Sequence, residues 1–155
     1  MKLQDTRGLT MQPTRRLVLS QIQWELMRAH VAECLPYEAC GLLAGKIDTV
    51  HEVFAMTNRL LSPTRFRMEP VEQVRAFAAI ESKGLELLGI YHSHPGRRGS
   101  ASGFRARLSP TDIAEAAYPV THVLWSRARG SWEASGYWIE DQRVSEVALA
   151  VTSET

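Results

Sequence analysis

Residues 85–95 read LELLGIYHSHP. Leu85, Leu87, Leu88, Ile90 and Tyr91 form an apolar run of strand length between Gly84 and Pro95, which predicts a buried strand. Successive side chains of a strand point to opposite faces, so His92 and His94 project the same way and Ser93 the other. Two imidazoles sharing one face at a strand end can chelate one divalent ion, but histidines paired by chance look the same, and the pair alone does not separate the two.

Working upstream, Pro70 opens a helix that ends near Gly84, with Val71, Val74, Phe77, Ala78 and Ile80 on its apolar side. Before it, RRLVLS (15–20) reads as a short strand. Ser20 and Gln23 then form a capping-box pair for a helix whose apolar stripe is Ile22, Leu26, Ala29 and Val31 or Ala32, and which stops before Pro36. ACGLLAGK (39–46) and TVHEVFAMTN (49–58) read as neighbouring strands, and LSPTRFRM (61–68) as irregular chain followed by a strand. Downstream, Gly96 to Arg107 is a loop rich in Gly, Ser and Arg, SPTDIAEAAY (109–118) starts a third helix, and THVLWS, SWEASGYWIE and RVSEVALAV supply further strands. Strands and helices that interleave in this order predict an α/β fold: one domain built on a mixed β-sheet with flanking helices. Residues 1–14 read as a polar N-terminal arm, and 15–155 as the domain itself.

At 155 residues and 45% hydrophobic content, the chain can bury one proper core. Its 18 cationic side chains balance 17 acidic ones, which removes a global electrostatic case for nucleic-acid binding. Arg97, Arg98, Arg105 and Arg107 make the one marked local cluster of charge, in the loop after the histidines. No segment approaches the roughly 20 apolar residues of a membrane span, so a cytoplasmic protein is expected. Cys34 and Cys40 lack metal-ligand spacing and read as small hydrophobes in a reducing compartment. His30, His51 and His122 have no comparable partners and read as structural.

A catalytic zinc site needs a third protein ligand besides His92 and His94. Asp112 stands at the start of the third helix, where the helix dipole favours a carboxylate. Ser109-Pro110-Thr111-Asp112 is also a good helix start, with Ser as N-cap, Pro at N1 and Asp at N3, so spacing leaves capping and ligation equally open. Taken alone, Glu38 reads as a solvated carboxylate in the turn between helix and strand.

Together these blocks match a pattern. Glu38 followed by GLLAG, then IYHSHP, then SPTD with its apolar continuation resembles the JAMM (MPN-plus) zinc metalloprotease family over roughly residues 16–140. The resemblance implies a cytidine-deaminase-like, MPN-type three-layer arrangement. It implies zinc held by His92, His94 and Asp112, with Glu38 as general base and Ser109 helping to hold the tetrahedral intermediate. Ser93 and Pro95 match the residues between and after the two histidine ligands. The chain resembles the compact prokaryotic members, which act on ubiquitin-like sulfur-carrier proteins and cleave an amide or isopeptide bond at the C-terminal Gly-Gly tail. The alternative is a catalytically inactive MPN-type scaffold for protein interaction. One departure is visible: seventeen residues separate His94 from Asp112, more than the family pattern has, and Leu108 replaces the proline that commonly precedes the motif serine. The longer connection, Gly96 to Arg107, is open to two readings: a mobile flap that helps capture the substrate's tail, or a passive solvated insertion with no role.

Overall fold

A computed structural model describes residues 15–96, 107–128 and 130–153. The proposed N-terminal arm and residues 97–106 of the arginine-rich loop lie outside the described residues. The elements run β1 (Arg16–Ser20), α1 (Gln21–Glu33), β2 (Cys40–Lys46), β3 (Thr49–Met56), α2 (Pro70–Ser82), β4 (Glu86–His94), α3 (Pro110–Ala114), β5 (Val120–Ala128), β6 (Ser131–Glu140) and β7 (Arg143–Thr152). This is the expected mixed sheet with flanking helices. Pairing runs β1-β3-β2-β4-β5-β6-β7, and β1 also pairs with β7, so the sheet closes on itself. Antiparallel neighbours predominate, and β4 lies parallel to β5 and β1 parallel to both β3 and β7. None of the helices is long and apolar enough to cross a membrane among the described residues.

Local chemistry starts the helices where the sequence indicates. Ser20 Oγ accepts from the Gln23 amide at 3.1 Å, and Gln23 Oε1 accepts from the Ser20 amide at 2.9 Å, completing the capping box of α1. Gln23 also donates to the carbonyl of Val50 at 2.9 Å, which ties the helix start to β3. In α2, Pro70 fills the first turn and Glu69 caps it by accepting from the Glu72 amide at 3.0 Å.

The helix faces differ from the expected stripes. Met27 and Val31 are the buried residues of α1, while Ile22 and Leu26 are 51% and 54% exposed. In α2, Ala76 and Ile80 are buried and Phe77 packs beside them, but Val71 and Val74 are 54% and 69% exposed. Each helix carries apolar residues on two adjoining faces, and neighbouring positions lie only about 100° apart, so small differences in side-chain size decide which face docks. The small Ala76 allows α2 to approach the sheet closely. The third helix ends at Ala114, with Glu115 as its C-cap, well before Tyr118. Residues 61–68 form no strand beyond one bridge between Asn58 and Met68.

Two cores lie on opposite faces of β2 and β4. Leu43, Tyr91, Val123 and Trp125 pack with Met27 and Val31 of α1, and Trp24 meets Trp125 at 4.8 Å between ring centroids. On the other face Cys40, Leu42, Ile90 and Val120 pack with Met56, Met68 and Ala76 of α2. Alternation along β4 therefore sends Tyr91 and Ser93 into the first core, and Ile90 and His92 toward the second. Gly41 faces the Tyr91 ring so closely that a Cβ there would overlap it and lie 2.6 Å from the Phe54 carbonyl oxygen.

The turn after β3 is organised by a residue the sequence reading passed over. Asn58, 6% exposed, donates from Nδ2 to the carbonyls of Glu38 and Arg65, each at 3.0 Å. Its Oδ1 accepts from the amides of Leu60 at 3.0 Å and Arg67 at 3.1 Å. One side chain thus joins the turn before β2 to the 59–68 segment. Removing it leaves buried backbone groups without partners, which costs on the order of 1–3 kcal/mol per group left unsatisfied. Asn58→Leu should lose about 3 kcal/mol, read as a fall of roughly 10 °C in Tm. Thermal unfolding followed by circular dichroism checks this, and an unchanged midpoint would remove Asn58 from the frame of the molecule.

Candidate metal centre

Strand β4 pairs Cys40 with His92 and Leu42 with Ile90 on its β2 side, and His94 with Ser126 on its β5 side. His92 is fully buried, and the side chain of His94 is 20% exposed at the strand end. As alternation requires, Ser93 faces the other way: its Oγ accepts from the Ala39 amide at 2.8 Å, and its own amide donates to the Ala39 carbonyl at 3.1 Å. These two bonds hold the residue next to Glu38 against β4. Together with the Asn58 bond to the Glu38 carbonyl, and a bond from the Glu38 amide to the Ser62 carbonyl at 2.9 Å, they fix the backbone that presents the Glu38 carboxyl.

Asp112 serves as cap and as site residue at once. Its Oδ2 accepts from the Ser109 amide at 2.9 Å, while Ser109 Oγ accepts from the Asp112 amide at 3.0 Å. The same Oδ2 lies 3.1 Å from His94 Nε2 and 3.2 Å from His92 Nε2. The two roles that spacing left open are therefore compatible, because the cap aims the carboxylate at the histidines. Ser109 Oγ, having accepted one bond, keeps its O–H to donate.

The ligand atoms offered by His92, His94 and Asp112 all lie within 4.8 Å of one another. Both ring nitrogens of His92 are buried without a hydrogen bond, since the approach to Asp112 is short but poorly directed, and Glu38 Oε1 is buried without one as well. Unpaired polar atoms at such depth are costly unless a further group satisfies them. Two imidazoles and a carboxylate converging on one point supply the donor set of a divalent transition-metal site with a position left over. The residues present fit a metal.

Electrostatics agree with that fit. Burial pushes the Glu38 carboxyl up to about 8, and the nearby Asp112 charge adds to the rise. Burial alone would raise Asp112 too, but the imidazoles of His92 and His94 and the Ser109 amide hold it well below the usual carboxylate range. Burial lowers His92, keeping it neutral and able to donate a lone pair. A bound dication would reverse the penalty on Glu38.

Phe66 stacks on His92 at 4.7 Å between ring centroids and 26° between planes, which fixes the orientation of the imidazole. His30 bonds the Tyr91 hydroxyl at 2.7 Å, and His51 is exposed, in keeping with structural roles. His122 departs from that reading, because it lines a pocket together with His92 and Asp112. Neither Asn58 nor Phe66 carried a signal in the sequence beyond a turn residue after a strand and an aromatic in an irregular stretch. Of the arginine cluster, Arg97, Arg98 and Arg105 lie outside the described residues, as does most of the expected flap.

Comparison with known proteins agrees with the geometry. The chain is 39% identical over 102 residues to a probable TtuB-protein conjugate cleaving protease of Thermus thermophilus, a match covering 65% of this chain and 64% of that protein. It is 33% identical over 132 residues to the CysO-cysteine peptidase of Mycobacterium bovis, covering 83% of this chain and 86% of that one. Among solved structures, a Desulfitobacterium hafniense protein determined in solution superposes with a TM-score of 0.75 at 31% identity, over 89% of this chain and 94% of that one. Residues 20–139 match the model describing prokaryotic homologs of the JAB domain. That span takes in both histidines, Asp112, Ser109 and Glu38, and the chain belongs to this family of prokaryotic JAB-domain proteins.

Proposed function

We propose that this chain is a zinc-dependent JAMM-type peptidase that hydrolyses an amide or isopeptide bond at the C-terminal Gly-Gly tail of a ubiquitin-fold or sulfur-carrier protein. The observation that carries the reading is the convergence of His92, His94 and Asp112, with the buried Glu38 near Asp112 and its Oε1 lacking a hydrogen bond. The relatives support it: one is named for cleaving TtuB-protein conjugates and another for cleaving CysO-cysteine. In this reading His92, His94 and Asp112 hold the ion, and zinc bound there supplies a Lewis acid and a water made acidic near neutral pH.

The remaining chemistry falls to the chain's own side chains. Glu38 receives the proton of the attacking water at a carboxylate oxygen and returns it to the nitrogen of the departing amine. Ser109 directs its free O–H at the carbonyl oxygen as negative charge gathers there. Phe66 excludes water from one side of His92 and keeps its ring in place. Ser93 and Asn58 position Glu38 through its backbone without touching the substrate.

Purified protein should carry about one zinc per chain, and His94→Ala should remove most of it. Plasma emission analysis of both proteins decides this; full occupancy in the variant would sink the ligand assignment. Glu38→Gln should retain zinc while losing at least about 100-fold in kcat on a carrier adduct. A variant that stays active would take the proton transfer away from Glu38, and a wild-type protein that holds zinc and cleaves no adduct would favour the scaffold. The metal-free protein should show a further signature. An acid whose pKa is raised by folding binds more protons in the folded state, so stability is full below about 4.5 and is lost as pH rises toward about 8. Across that window the chelated protein should unfold more readily as pH rises, and Glu38→Gln should flatten the dependence.

A further inference from the structure

At the end of the closed sheet remote from the histidines, a cleft of about 520 Å³ opens between the start of β1, the turn joining β2 to β3, the starts of β4 and β5, and the end of β6. Leu17, Leu87 and Trp138 give it apolar walls. Glu86 at its rim and His94 in the ligand cluster are the two ends of β4, set roughly 26 Å apart by a rise of about 3.3 Å per residue. The cleft is therefore separate from the site described above.

Ile47 stands at the edge of this cleft and is 91% exposed. Lys46 pairs with Thr49, so Ile47 and Asp48 form a two-residue hairpin loop, with φ at 59° for Ile47 and not positive for Asp48. Turns of that pattern take glycine at the first position, and a β-branched residue there is a steric outlier. One side chain thus combines a strained backbone with a large apolar group in water. So exposed a group recovers neither cost by packing within its own chain.

Two charges on the rim are also unpaired. Arg15 lies over the Trp138 ring at 3.7 Å and Glu86 is exposed, and neither makes an ion pair among the described residues. Asp48 is engaged by Arg16 at 2.9 Å. A face with one apolar knob, one apolar cleft, one free cation and one free anion is complementary to itself, which is what a twofold contact requires. A small ligand in the cleft would cover its walls but leave so prominent a side chain as Ile47 in water. The formal net charge of +1 sets little repulsion between copies.

We propose that this face joins two copies of the chain about a twofold axis, with Ile47 of each entering the cleft of the other and Arg15 of each facing the partner subunit's Glu86. Both clusters of His92, His94 and Asp112 then lie at the outer ends of the pair, away from the contact.

Sedimentation equilibrium of the full-length protein from about 1 to 100 μM tests this. The wild type should show a monomer and dimer in exchange within that range. Ile47→Asn removes the knob, and asparagine tolerates a left-handed backbone. Its Tm at the lowest concentration should therefore hold or rise while the dimer Kd weakens at least about tenfold. Arg15→Glu and Glu86→Arg should each weaken the dimer about tenfold, and the double reversal should return to within about threefold of the wild type. A wild type that stays monomeric throughout, a dimer unaffected by Ile47→Asn, or a double reversal no tighter than the single ones would overturn the assignment. If a monomeric wild type dimerises only once residues 1–14 are deleted, the occupant of the cleft is that segment of the same chain and the contact between two copies falls.

Discussion

A single oxygen, Oδ2 of Asp112, joins two parts of the chain that have no other reason to meet. It accepts from the Ser109 amide, faces Nε2 of His94 at 3.1 Å, and lies 3.2 Å from Nε2 of His92. Without it, α3 would be five residues of helix with no buried residue of its own, too short to persist on local propensity. With it, the helix start is pinned to the end of β4, and the pocket wall that follows α3 has a fixed place. A metal at this point would strengthen the same link, so cofactor binding and the ordering of α3 draw on one set of contacts.

Around that link the protein tolerates a local energetic conflict. Glu38 is 2% exposed with one carboxyl oxygen unpaired, and its carboxyl is raised by burial in the vicinity of a second acid. Nothing in packing alone favours such an arrangement. The backbone that holds it is heavily over-determined: bonds with Ser93, Asn58 and Ser62 engage the amide and carbonyl of both Glu38 and Ala39. Strain concentrated on one side chain and held by rigid neighbours is the usual mark of a group kept for chemistry.

Much of this was legible in the sequence, for identifiable reasons. The period-2 placement of His92 and His94 and the two capping boxes are local patterns, and local patterns survive folding unchanged. Asp112 was ambiguous because one carboxylate caps the helix and faces both histidines at once. Features that depend on distant partners left no such trace. The closure of β1 onto β7 is a parallel pairing between chain ends. Which face of α1 and α2 would dock was decided by Met27, Val31 and Ala76 against the sheet, so Ile22, Leu26, Val71 and Val74 were left outside. Asn58 looks like any turn residue until its four bonds are seen, and His122 became a pocket residue only through its pairing with Ile90.

The reciprocal cap between Ser109 and Asp112 also bears on how such a protein can change over evolutionary time. The side chains of Ser109 and Asp112 are oriented by bonds made within four residues, so their mutual geometry does not depend on the length of chain that precedes them. Doubling a connecting segment costs only about 0.6 kcal/mol in closure entropy. The seventeen residues between His94 and Asp112 are therefore a cheap place to add or exchange sequence, and descendants can try new recognition elements beside the cluster of His92, His94 and Asp112 without rebuilding it.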